Sequence, residues 1–175
     1  MTRTRLSEIE GLRADLKAAG YNARKVTVRR SGDSLYVTIR DALVALSTIQ
    51  PIAEAYSHVR RDERSGEILC GGNTFVTVEY LRAMVEPIAA RIAELLTPAP
   101  DDIVVGLPGG FRAAKISRAR GATYPDEVAI WGYGFDILNA RACGVGYAAK
   151  RIAVAYLDAV ATGAVAADVP AAVVA

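Results

Sequence analysis

Apolar positions change their period within the first forty residues. Leu6, Ile9, Leu12, Leu16 and Ala19 recur at helical spacing, and Gly20 stands where a left-handed C-terminal residue belongs. Ser7 and Glu10 have the spacing of a capping box at the start of that helix. The period then drops to two. Val26 and Val28 alternate with Lys25, Thr27 and Arg29, while Leu35, Val37 and Ile39 alternate with Tyr36, Thr38 and Arg40. Ser31-Gly32-Asp33-Ser34 supplies turn chemistry between the runs, so the pattern predicts a hairpin with one greasy face and one polar face. The first helix is expected to cover Val26, Val28, Leu35, Val37 and Ile39. The opposite face gathers Lys25, Arg29, Tyr36 and Arg40.

Further along, Ser47-Thr48-Ile49-Gln50 repeats the capping-box pattern, with Pro51 in the first turn of a short helix carrying Ile49, Ile52, Ala53 and Tyr56. Residues 58–64 are charged and lead into a strand or an exposed hairpin arm. Residues 66–80 combine a turn, a Gly71-Gly72-Asn73 kink and a β-branched, aromatic run, which predicts a strand inside a sheet. Leu81, Met84, Val85, Ile88, Ile92 and Leu95 mark a helix in which Pro87 makes a kink or opens the true first turn. Past the Pro-rich segment 97–100, the pattern predicts strands at 103–105, 111–118 and 127–131, and a helix over 147–160. The tail from 162 to 175 is low in complexity and predicted to be flexible. The whole reads as α+β: antiparallel sheets with helices packed on one face, in two hairpin-plus-helix units. Their expected bounds are 1–97 and 101–161.

Composition narrows the chemistry. With 175 residues, 52% of them apolar, the chain can bury a core without disulfides or metals. A net charge of +2 neither demands nor excludes nucleic acid. Cys70, Cys143 and the single His58 cannot assemble an ordinary zinc site, and the expectation is buried free thiols, Cys70 in the core, in a reducing cytosol with no metal and no cofactor. The N-terminus lacks the apolar core of a signal peptide, and Lys150, Arg151 and Asp158 interrupt the most apolar stretch. A cytoplasmic protein without membrane contact is the expectation.

Arg24, Lys25, Arg29, Arg30 and Arg40 cluster around Tyr36 with no acidic residue on either strand. Cations neutralise phosphates and an aromatic ring stacks on bases, so this face is a candidate nucleic-acid platform. A solvated face, with long side-chain stems lying over the sheet, is the plainer alternative. Arg112, Lys115, Arg118 and Arg120 form a second basic run before Asp126. Gly106-Leu107-Pro108-Gly109-Gly110 follows a strand, but Phe111 and Arg112 stand where a phosphate loop needs Lys and Ser or Thr. A tight turn explains it, and Gly144-Val145-Gly146 likewise. His58 near Asp62 and Glu63 lacks a nucleophile, and Asp101-Asp102 and Asp126-Glu127 fit turns beside strands. Trp131, Tyr133 and Phe135 alternate with glycines, and Trp131 is expected in the core.

Three segments together resemble a known domain. They are 16–29 (LKAAGYNARKVTVR), 35–41 (LYVTIRD) and Gly66-Glu67-Ile68 with Gly71-Gly72-Asn73-Thr74-Phe75-Val76. Within residues 12–80 they resemble one of the large polyvalent-protein-associated domains, a domain of unknown function found in phage and mobile-element proteins. That family has no assigned catalytic residues to carry over. The resemblance implies a non-catalytic accessory protein that binds a host or phage macromolecule, and host-defence antagonism is the role it suggests. A nucleic-acid-binding protein using the basic hairpin face is the alternative, with Lys25, Arg29, Tyr36, Arg40, Arg112, Lys115 and Arg118 as contact residues. A homo-oligomer is compatible with either, and an enzyme ranks third for want of a nucleophile, base and acid together.

Overall fold

The computed structural model describes residues 5–116, 127–133 and 141–166. The chain divides between Leu81 and Arg82 into two compact units. Among the described residues the fold is α+β, with a three-stranded sheet in the first unit and a four-stranded sheet in the second.

In the first unit α1 spans Arg5–Ala18, so it starts ahead of Ser7 and the Ser7/Glu10 capping box does not mark its beginning. Its end is as the pattern predicts. Gly20 adopts φ +90°, while the Tyr21 and Gly20 N–H groups donate to the Leu16 and Lys17 carbonyls at 2.9 and 3.0 Å. β1 (Val26–Ser31) and β2 (Ser34–Ile39) pair antiparallel around a two-residue turn whose first position, Gly32, has φ +58°. Val26, Val28, Leu35, Val37 and Ile39 are all buried. The greasy face is covered by α1, which packs on β1, together with α2 (Leu46–Glu54), which packs on β3 (Phe75–Tyr80).

β3 departs from the expected arrangement in two ways. It pairs parallel to β2, which makes the sheet mixed, and it is an edge strand in the order β1-β2-β3. Only Phe75–Tyr80 is strand; residues 66–73 belong to an arm described below. The inward register is continued by Tyr80, 3% exposed. Its hydroxyl donates to the Val44 carbonyl and accepts from the Leu46 N–H, both at 3.1 Å. Leu46 opens α2, whose N-cap, Ala45, has no side-chain cap, so the capping box expected at Ser47 and Gln50 is not the device used. Gln50 Nε2 donates instead to Glu54 Oε1, and Thr48 Oγ1 to the Ala45 carbonyl, each at 2.7 Å. A lost side-chain cap costs about 1 kcal/mol. Burying Ile49, which α2 does completely, contributes about 1.5–3 kcal/mol, so packing decides.

The second unit begins with α3 (Arg82–Leu96), one helix earlier than the Pro-rich segment 97–100, because α3 packs on α4 (Val145–Ala161). Pro87 lies inside α3, past its first turn. β4 (Val105–Gly106), β5 (Arg112–Ile116), β6 (Glu127–Trp131) and β7 (Arg141–Cys143) form an antiparallel meander. β4 is shorter than expected, leaving Ile103 and Val104 exposed, and the pattern gave no sign of β7. Ala113, Val128, Ile130 and Ala142 share the buried face, with α3 on β5 and α4 on β6 and β7. Trp131 alternates with Ile130, so it lies on the other face, half-buried, and not in the core as expected. The core residue is Phe111, fully buried beside two glycines. At Gly132 (φ +136°) a Cβ would sit 2.8 Å from Phe111 Cδ1, and at Gly109 (φ +71°) 2.7 Å from Tyr156 Cδ2.

Gly132→Ala should therefore destabilise the protein by about 1–3 kcal/mol, through overpacking against Phe111. Tyr80→Phe should cost about 1–3 kcal/mol, since the Val44 carbonyl and Leu46 N–H lose a buried partner. Chemical denaturation followed by circular dichroism measures both; unchanged midpoints would contradict the assigned contacts.

Candidate binding face

The face of the first sheet opposite its helices carries the chemistry expected of it, and more. Register places Arg29 beside Tyr36 and Tyr36 beside Thr77, with Thr27, Thr38 and Glu79 in the next row and Lys25 beyond. Lys25, Arg29 and Arg40 are exposed and Tyr36 is half-buried. The Arg29 guanidinium carbon lies 4.6 Å from the centroid of the Tyr36 ring, a cation–π contact. Four of the expected contact residues thus belong to one hairpin face. Phe75, 37% exposed, joins them through its pairing with Ser34. Sequence reading missed Phe75, Thr77 and Glu79. Their period-two alternation with Val76 and Val78 was the signal, but only the parallel register puts them beside β2. Glu79 is also an acid on a face that the first two strands left purely cationic.

Arg30 leaves the cluster. The pleat turns it to the helix side, where Nη1 donates to Glu8 Oε2 at 2.8 Å, the side chains being 13% and 19% exposed. The same Glu8 oxygen accepts from Thr74 Oγ1 at 3.4 Å, so one carboxylate ties α1 to β1 and to the base of the arm. The second basic run does not form a single patch. Arg112 and Lys115, three residues apart on β5, point to opposite faces. Lys115 Nζ donates to the Thr97 carbonyl at 3.1 Å and lies 3.7 Å from Asp101 Oδ1. Arg118 and Arg120 lie outside the described residues, as do Asp126, Phe135 and the end of the Ala/Val-rich tail.

Residues 58–74 form an exposed antiparallel arm, one of the two outcomes its charge pattern allowed. His58 and Thr74 exchange backbone bonds of 2.9 and 2.6 Å, and Arg61 bridges Ile68. Asn73, 7% exposed, holds the limbs together: Oδ1 accepts from the Arg60 N–H at 2.8 Å and Nδ2 donates to the Leu69 carbonyl at 2.7 Å. At the tip, Asp62 Oδ1 accepts from the Ser65 and Arg64 N–H groups at 2.8 and 2.9 Å and from the Ser65 hydroxyl at 3.2 Å. These bonds, the Ser65 N–H first, hold its carboxyl below the usual aspartate value. Asp62 therefore builds a turn. Cys70 is not the core thiol expected: it is exposed on the return limb of the arm, outside the packed sheet and helices, beside Ile68 and Leu69, which are exposed too.

In the second unit the Leu107 N–H donates to the Phe111 carbonyl at 2.8 Å, which makes 107–111 the tight turn its glycines predicted. Tyr133 is exposed, its hydroxyl 3.5 Å from Asp158 Oδ2 and 3.4 Å from Thr162 Oγ1. Among the described residues no group of three His, Cys, Asp or Glu is placed to hold a metal ion, and no helix is long and apolar enough to cross a membrane. No family model, curated protein or solved structure matches the chain.

The Asp62 turn has a pH signature. Its lowered folded-state pKa means that its stabilisation is present above the unfolded value, about 3.9, and is lost as pH falls through the folded one. The 62–67 amides should gain mobility over that acid window in 15N relaxation, and Asp62→Ala should show the same mobility at neutral pH. A tip equally ordered at both ends of the titration would refute this.

Proposed function

We propose that this chain is a non-catalytic binding protein whose working surface is the open face of the first sheet. One observation carries the reading. A sheet with both helices on one side presents exposed Lys25, Arg29, Arg40 and Phe75, with half-buried Tyr36, on the other. Exposed cations around aromatic rings in a rigid, paired register form a preorganised contact surface, which binding favours. The resemblance of residues 12–80 to a polyvalent-protein-associated domain supplies the setting: an accessory protein of phage or mobile elements that binds a host or phage macromolecule, with antagonism of a host defence as its role.

A second reading is favoured by the Arg29–Tyr36 stack with Phe75 one row away. Bases stack on aromatic rings and guanidinium planes while flanking cations meet the backbone, which fits single-stranded nucleic acid. Glu79 on the same face works against it.

A salt titration of oligonucleotide binding separates the two. On the nucleic-acid reading, Lys25→Ala/Arg29→Ala/Arg40→Ala flattens the salt slope by about 0.7–0.9 per lost phosphate contact. Tyr36→Ala and Phe75→Ala then cost about 1–3 kcal/mol each on single strands. On the protein-partner reading, the wild type has no measurable nucleic-acid affinity near physiological salt. The same variants then disrupt a defined protein complex isolated with the wild-type chain. Retention of that complex by the triple and both aromatic variants would remove this face as the working surface.

A further inference from the structure

The free edge of the first sheet differs in chemistry from its open face. β1 is an edge strand. The Arg40 N–H donates to the Lys25 carbonyl at 2.7 Å, which fixes the alternation: the Lys25 carbonyl and the backbone groups of Thr27 and Arg29 face β2. Val26 and Val28 therefore turn theirs outward. The Val26 N–H is met by the Asn22 carbonyl at 3.0 Å, and the Val28 carbonyl by Arg13 Nη2 at 2.8 Å. Among the described residues nothing meets the Val28 N–H.

Along this edge, between β1 and α1, runs a groove of about 460 Å³. Leu16, Val26 and Val28 give it apolar walls, and Arg13 and Lys17 give it charge; no carboxylate lines it. Arg13 and Lys17 are exposed, one turn apart on α1, and have no carboxylate partner among the described residues. Like charges at that spacing disfavour a helix by a few tenths of a kcal/mol, and an anion seated in the groove would offset this.

We propose that this groove takes an extended acidic peptide segment of a partner protein as a fourth strand beside β1. The incoming main chain meets the outward N–H and C=O of Val28, as in strand addition to other sheet edges. Arg13 then exchanges a neutral carbonyl for a carboxylate, a stronger, charge-assisted bond, and Lys17 meets a second acid one turn along. Side chains on the same side of the new strand rest on Leu16. Nucleic acid is also anionic, but its phosphates only accept and cannot meet the outward Val28 carbonyl as a peptide N–H does. This site is distinct from the open face and does not depend on it.

Selection from a displayed dodecapeptide library on the full chain tests the proposal. Enriched peptides should carry Asp or Glu at alternating positions among β-formers. Methylating alternate backbone nitrogens of such a peptide should abolish its binding to the wild-type protein, a measurement that needs no variant. Arg13→Glu/Lys17→Glu should weaken it about tenfold or more and favour the Lys-for-Glu counterpart, whereas Lys25→Ala/Arg29→Ala/Arg40→Ala should leave it unchanged. No enrichment, enrichment without acids, indifference to N-methylation or equal competition by oligothymidine would each overturn it.

Discussion

Parallel pairing between β2 and β3 is the constraint on which the first unit depends. Antiparallel neighbours can be joined by two residues, as β1 and β2 are, but a parallel neighbour requires the chain to return to the far end of the sheet. Residues 40–74 make that return. Part of the path becomes α2, which closes the core over β3; the rest becomes the arm, zipped by Asn73 and turned by Asp62. Tyr80 secures the result, since its hydroxyl reaches back to the point where the returning chain enters α2.

Because α1 and α2 occupy one side of the sheet, the other side is left to its own side chains. The Glu8 carboxylate sharpens this division: by pairing with Arg30, which the pleat turns to the helix side, it anchors the end of β1, while Arg29 on the open side rests on the Tyr36 ring. The second unit solves its packing differently. Its meander needs no crossover, and its close approach is at glycine: Phe111 and Tyr156 press where Gly132 and Gly109 have no side chain.

Much of the first unit was legible in the sequence, because hydrophobic alternation at Val26, Val28, Leu35, Val37 and Ile39 fixes both the strands and their faces. The α+β class followed, as did Gly20 as the end of α1 and the membership of Lys25, Arg29, Tyr36 and Arg40 in one face. What failed depends on partners far away in the chain. The parallel register of β3, and with it Phe75 and Glu79, is set by a crossover that no local pattern records. Ser47 and Gln50 read as a cap only because Tyr80, which serves Leu46, is 34 residues distant. Trp131 reads as core by size, yet the pleat gave that place to Ile130. Arg112 and Lys115 look like one patch until strand parity separates them.

The two-residue turn at Gly32 and Asp33 has a consequence for how this protein tolerates change over generations. Side chains alternate along a strand, so the turn assigns the same register to the core and to the open face at once. A residue inserted there has to be absorbed within the turn, as a bulged three-residue loop does: a one-place slip passed into the strands would send Val37 outward and Tyr36 inward. Length variation at this corner is therefore admissible only where the strand register survives it. The exposed surface is inherited together with the interior, and selection on either one disciplines the other.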